Sequence, residues 1–295
     1  MKKTFVTGML ILLGTLFAGA VAPYLKIAEL NMGMDGATEK VVSVLTSQGY
    51  EILGDYAPGR NYGLHVVVFT NDKIKELSRK SGDRGMLAAA MKVGLQRENG
   101  KTVVSVVNPE YLFFAYFRDK MEVASFKSEA LSVSASVRKD LEGIGNMMKP
   151  FGGEVSRKDL MKYRYMVGMP EFDDPVTLAE FGSFEEGLAT IRKNLSAGKG
   201  ATIKVYEMVD RNGRRAIFGV GLSDKEEGES HFLPIIGESH VAAMPYEIIL
   251  QGKKATMLHG RYRFALHWPE LTMGTFTKIM SSPGDVEDAM NSLME

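Results

Sequence analysis

Two stretches of this chain pass through the same succession of local signals, and that repetition constrains the fold more than any single residue. In the first, a helix-like run at 38–48 precedes two strand-like runs, at 50–56 and 64–70. Asn71-Asp72 then opens a short helix, and strands at 91–96 and 101–107 flank Asn99-Gly100. Asn-Gly favours a tight hairpin because both central residues of a type I′ turn need positive φ. Asn108-Pro109-Glu110 ends the last strand and opens a helix, where the missing N–H of proline is not needed. In the second stretch Ser183 opens a helix, with Glu186 placed for a capping box. Strands follow at 201–209 and 215–222, joined through Asn212-Gly213, and at 245–250 and 255–267, joined through Gln251-Gly252-Lys253. Trp268-Pro269-Glu270 then stands as the counterpart of Asn108-Pro109-Glu110. The pattern predicts an α+β chain of two related modules, each an antiparallel sheet with helices packed on one face, after an N-terminal hydrophobic segment. The modules fall at residues 30–120 and 181–295. A helical linker at 121–180 joins them, with helices at 128–144 and 156–165 and a proline-bounded loop at 169–175.

The opening residues bear on the compartment. Met1-Lys2-Lys3 is a short basic start, residues 4–25 carry no charge, and Ala18-Gly19-Ala20 has the small-residue spacing that a signal peptidase accepts. Residues 1–25 are therefore expected to be a signal peptide or, if uncleaved, an N-terminal membrane anchor, since about 20 apolar residues span a bilayer. With Lys2 and Lys3 inside, either case puts the rest of the chain in the periplasm or on the outer face of the cytoplasmic membrane. Lysine plus arginine equals aspartate plus glutamate, 36 against 36, so no global field draws the chain to nucleic acid. The chain has no cysteine, which excludes disulfides, thiolate metal sites and thiol nucleophiles.

Chemical signatures are sparse. The chain contains no G-x-x-x-x-G-K-[ST], no G-x-S-x-G and no H-E-x-x-H. No catalytic residue, cofactor or resident metal is expected. The candidate ligand-binding residues are His259, Arg261, Arg263, Asp173, Asp174 and His240. Arg261 and Arg263 on one face of an expected strand could clamp a carboxylate or phosphate, with Gly260 marking a close backbone approach; the alternative is a solvated face with ordinary ion pairs. His259 and His267 on that strand would lie about 26 Å apart, too far for one metal unless His231 or His240 folded against one of them. Asp173-Asp174 could bind a cation or act as paired acids, or could cap a helix opened by Pro175. Methionines at 32 and 34, 147 and 148, and 161, 166 and 169 suit Cu(I) by their thioethers or, more simply, fill core.

One resemblance adds to this reading. Gly49-Tyr50-Glu51-Ile52 after a helix, then Asn108-Pro109-Glu110-Tyr111-Leu112 opening another, resembles domain-of-unknown-function family 302, a small α+β fold whose last helix opens on an asparagine-proline step. Trp268-Pro269-Glu270-Leu271 would be a second, divergent copy's version, with tryptophan in place of the asparagine. The resemblance implies fold rather than activity. The expected function is that of a non-catalytic exported protein, binding a small ligand or an envelope protein in the cleft between two modules. The alternatives are a membrane-anchored accessory subunit of an envelope complex, attached through residues 4–25, and a periplasmic copper-handling protein.

Overall fold

A computed structural model describes residues 19–295. β1 (Ala20–Val21) and β2 (Tyr24–Leu30) lead into α1 (Met34–Ser47), β3 (Glu51–Tyr56), β4 (Leu64–Thr70) and α2 (Asp72–Ser81). β5 (Met91–Glu98), β6 (Lys101–Val107) and α3 (Pro109–Phe117) complete the first half. The connecting stretch holds α4 (Ala124–Asp140), β7 (Lys149–Phe151), β8 (Val155–Ser156) and α5 (Arg157–Leu160). The second half runs through β9 (Val176–Glu180), α6 (Phe184–Ser196), β10 (Thr202–Asp210), β11 (Arg215–Leu222) and α7 (Glu229–Ile236). It continues with β12 (Tyr246–Gln251), β13 (Lys254–Met257), α8 (Gly260–His267), α9 (Met273–Phe276) and α10 (Ser282–Asn291). One sheet has the order β3-β4-β5-β6-β2-β7 and the other β10-β11-β12-β13-β9, with antiparallel pairing throughout. From β2 to α3 and from β9 to α8 the elements follow one order, and five strands of each sheet take corresponding places.

Local chemistry explains most of these boundaries. Asn99 and Gly100 take φ of 48° and 80°, the two positive values a type I′ turn requires. Asn71 caps α2 by accepting from Ile74 N at 2.9 Å, and Ser183 caps α6 by accepting from Glu186 N at 3.1 Å. The Glu186 carboxylate reaches back to Gly182 N at 2.9 Å, closing a box-like pair. Asn108 accepts from Glu110 N at 3.2 Å and donates to Ala22 O at 2.8 Å, so it fixes the start of α3 against the entry to β2.

The structure corrects several expectations. Residues 260–267 are helix, not strand. Tyr262, Phe264 and Leu266 do alternate with arginines, but Arg263 and His267 are as buried as their apolar neighbours. A helix enclosed on nearly every side leaves no amphipathic stripe for periodicity to reveal. His259 caps α8 by accepting from Arg261 N at 3.2 Å, the place Asn108 holds on α3. The counterpart of Asn108-Pro109 is therefore His259-Gly260, whereas Trp268-Pro269 ends α8. His259 and His267 lie at the two ends of one short helix, about 12 Å apart along its axis. Asn212-Gly213 does not form a two-residue turn; Arg214, at φ 47°, takes the left-handed position.

Element bounds shift as well. Tyr24 and Leu25, expected in the N-terminal segment, are 0% and 3% exposed in β2, between β6 and β7. The linker is not purely helical, since it contributes β7 to the first sheet and β8 to a pairing with β1. Residues 176–180 form an edge strand of the second sheet, so Pro175 opens no helix there. Most of the expected signal or anchor, residues 1–18, lies outside the described residues. Among the described residues, no helix is long and apolar enough to cross a membrane.

The halves share one continuous core. α1 lies on one face of the first sheet and α6 on one face of the second. Their opposite faces look toward each other. Lys92 and Gly94, two apart on β5, share the face on which residues 238–243 of the second module rest. A Cβ on Gly94 would lie 2.7 Å from Ala242 N. At the sheet edges β3 meets β10, where a Cβ on Gly54 would lie 2.0 Å from Val205 O. Gly54→Ala must push a backbone carbonyl away, and we expect a loss of about 2 kcal/mol or more. Urea unfolding measures it; an unchanged midpoint and slope would contradict this edge contact.

Candidate functional site

The junction between the modules, expected as an open cleft, is filled by side chains. Lys92 on β5 ion-pairs with Glu247 on β12, each 4% exposed in its side chain. Arg263 of α8 reaches Glu247 Oε2 at 3.3 Å from its Nε, and its Nη2 donates to Ala243 O at 2.5 Å and Pro245 O at 2.7 Å. Its guanidinium stacks 3.8 Å from the Tyr246 ring centroid. Burial pulls the Lys92 pKa down, against the attraction of Glu247.

Tyrosines close the C-terminus of α8, where a helix leaves its last carbonyls without partners. Phe264 O accepts from Trp268 N at 2.8 Å. Ala265 O accepts from Tyr163 OH at 2.7 Å, Leu266 O from Tyr111 OH at 2.7 Å and His267 O from Tyr24 OH at 3.0 Å. Burial raises the pKa of all three tyrosines, which keeps them protonated as donors. Tyr116 OH sits 3.2 Å from His267 Nε2. Burial holds His267 well below its ordinary range and therefore neutral.

The six expected ligand residues divide into three places. Arg263 and His240 are buried, at 1% and 2% exposure, in the junction. His240 lies among the rings of Tyr24, Phe151 and Trp268, and burial lowers its pKa to about 4. The expected clamp of Arg261 with Arg263 is not formed, because on a helix these side chains point to different sides. Asp173 pairs with Arg118 and Arg84, and both guanidiniums lie over the Phe172 ring. The Arg118 hydrogen bond holds its carboxyl below the usual range. Asp174 accepts from Glu171 N at 2.9 Å and closes a local turn. Neither aspartate caps a helix. His259 and Arg261 remain together at the outer N-terminal end of α8. Among the described residues, no group of three or more His, Asp or Glu could hold a metal ion.

A pocket of about 200 Å³ opens on the outer side of α8. Arg261 and Ala265, one helical turn apart, form part of its wall. The linker loop supplies Tyr165, Met166 and Met169, and the α9 region supplies Leu271, Met273, Phe276 and Met280. Tyr165 OH donates to Leu271 O at 3.0 Å, joining the two walls. Met166, Met273 and Met280 are 47%, 50% and 61% exposed. Sequence reasoning noticed Met166 and Met169 but not their partners more than a hundred residues on. The signal available was the surplus of methionine, 19 in all.

Glu229 links the modules at another point. It is fully buried at the start of α7, and its carboxylate accepts from Tyr56 OH at 2.7 Å and Gly59 N at 2.8 Å. Burial pushes its pKa up to about 7, against those hydrogen bonds. Below about pH 4.5 the proton is bound in folded and unfolded chain alike, so its contribution is fully present. As pH rises to about 7 the unfolded chain releases the proton first, and up to roughly 3 kcal/mol of stability is lost. His240 acts with the opposite sign, costing stability as pH falls from about 6.5 to 4. We expect Glu229→Gln to remove the loss between pH 4.5 and 7 in urea-unfolding profiles; parallel profiles for the two proteins would contradict it.

No family model matches the chain, and no curated protein matches it. One solved structure similar to part of it is the crystal structure of an uncharacterised conserved protein of domain-of-unknown-function family 302 from Bacillus stearothermophilus, at 15% identity and a TM-score of 0.32. The match spans 41% of this chain and 98% of that one.

Proposed function

We propose that this chain is a non-catalytic exported binding protein that takes a small, largely apolar ligand into the methionine-lined pocket beside α8. The pocket carries the reading: about 200 Å³, walled by four methionines, two aromatic side chains and a leucine. An engineered cavity of about 150 Å³ in another protein holds benzene, so this one has room for a ring or short chain of about ten non-hydrogen atoms. Flexible, polarisable thioethers left within reach of solvent suit adaptable apolar contact. The pocket replaces the cleft between the modules, because that junction is packed.

The opening residues support export: Met1-Lys2-Lys3 is a basic start, an uncharged run follows, and Ala18-Gly19-Ala20 has the spacing that a signal peptidase accepts. Ala20–Val21 and Tyr24–Leu30 are strands of the folded body, so a membrane-spanning helix cannot take in all of residues 4–25. This favours a periplasmic protein over a membrane-anchored accessory subunit. Cleavage after Ala20 would leave β2 whole and remove from β1 the pairing of Ala20 with Ser156. A native intact mass starting at Val21 supports this part of the proposal, and retention of Met1 overturns it.

The same four thioethers support a second reading, copper handling, because thioether sulfur suits Cu(I). A neutral probe separates the two. At about a hundred times its dissociation constant, 1-octanol is expected to raise the melting temperature by several degrees. Ala265→Phe, which fills the pocket, and Met280→Glu, which places a charge at an exposed wall, should each abolish the shift. No shift in the parent protein, or equal shifts in both variants, would overturn the pocket as the binding place.

A further inference from the structure

Resting on that pocket reading, we infer that its ligand is a monocarboxylate with a ring or short alkyl chain, whose anionic head is held by Arg261. Arg261 is the one charged residue in the pocket wall. It is exposed, and among the described residues it forms no ion pair, unlike its helix neighbour Arg263. A guanidinium offers two parallel N–H donors to a carboxylate, and beside an apolar wall that pairing is screened less than in open water.

The position of Arg261 sets the polarity of the site. Ala265, one turn along α8, and the rings and thioethers of the wall receive the tail, while the guanidinium meets the head. Arg261 and Met280 also line a second hollow, together with His259 and Glu287. The Glu287 carboxylate there disfavours an anion, which leaves the pocket side for the head. One guanidinium matches a single negative charge; a phosphate dianion would want a second cation, and the pocket wall supplies none. The same positive charge disfavours a soft metal cation among the thioethers. At about ten non-hydrogen atoms, affinity should lie between millimolar and micromolar.

Isothermal titration of the native mature protein with octanoate and 1-octanol tests the inference, with Arg261→Gln beside the parent. Octanoate should bind at least ten-fold more tightly than 1-octanol. Arg261→Gln should weaken octanoate by about ten-fold or more and leave 1-octanol unchanged. If both probes bind equally, or if Arg261→Gln does not alter octanoate binding, the carboxylate class is wrong while the apolar pocket stands. If neither probe binds, the pocket reading fails with it. Stoichiometric uptake of silver(I), lost on replacing Met166 and Met280 by Leu, without octanoate binding, would replace both with a soft-metal site.

Discussion

The rest of the structure depends on how α8 is seated. A helix of eight residues gains little on its own, because its ends hold as many unpaired backbone groups as its middle satisfies. Here the last four carbonyls are all met: one by Trp268 N, the others by the hydroxyls of Tyr163, Tyr111 and Tyr24. Those tyrosines come from the linker, from α3 and from β2, so α8 of the second module is completed by the first module and the linker. Each bond is worth about 1 kcal/mol net, but an orphaned buried carbonyl costs about 1–3 kcal/mol. The seat is therefore strongly specified even where its net energy is modest.

Arg263 extends the same logic to charge. It brings the helix onto Glu247, which already pairs with Lys92 across the two sheets. Such a group of buried charges contributes little stability relative to apolar packing, yet losing one partner is expensive. It fixes how β5 faces β12 more than how strongly they hold. The outer side of α8 is then free for a different task. With its inner side locked, Arg261 and Ala265 stand at a defined place in the wall of the methionine-lined pocket. That rigidity suits the site proposed above, in which one charge stands beside an apolar space.

Much of this was legible in the sequence, for physical reasons that can be traced residue by residue. The repeated order of elements showed because Asn99-Gly100, Asn71, Asn108 and Ser183 are chemically obliged to sit at turns and caps. α8 escapes the pattern because Arg263 and His267 are buried by tertiary partners, and local periodicity cannot see a helix enclosed on nearly every side. The true counterpart of Asn108 was hidden with it, since histidine is an uncommon cap. His240 and Arg263 drew notice as polar residues, but the sequence gives no sign that both point into the core. The pocket was the least legible feature: its walls come from segments about a hundred residues apart, and methionine at irregular spacing carries no pattern.

Native-state hydrogen exchange tests the seat of α8 most directly. If α8 is completed by the first module as described, the amides of Phe264, Leu266 and Trp268 exchange in the slowest class, together with the central strands of both sheets, by global unfolding. Exchange of α8 ahead of the sheets, or separate classes for the two sheets, would contradict the account.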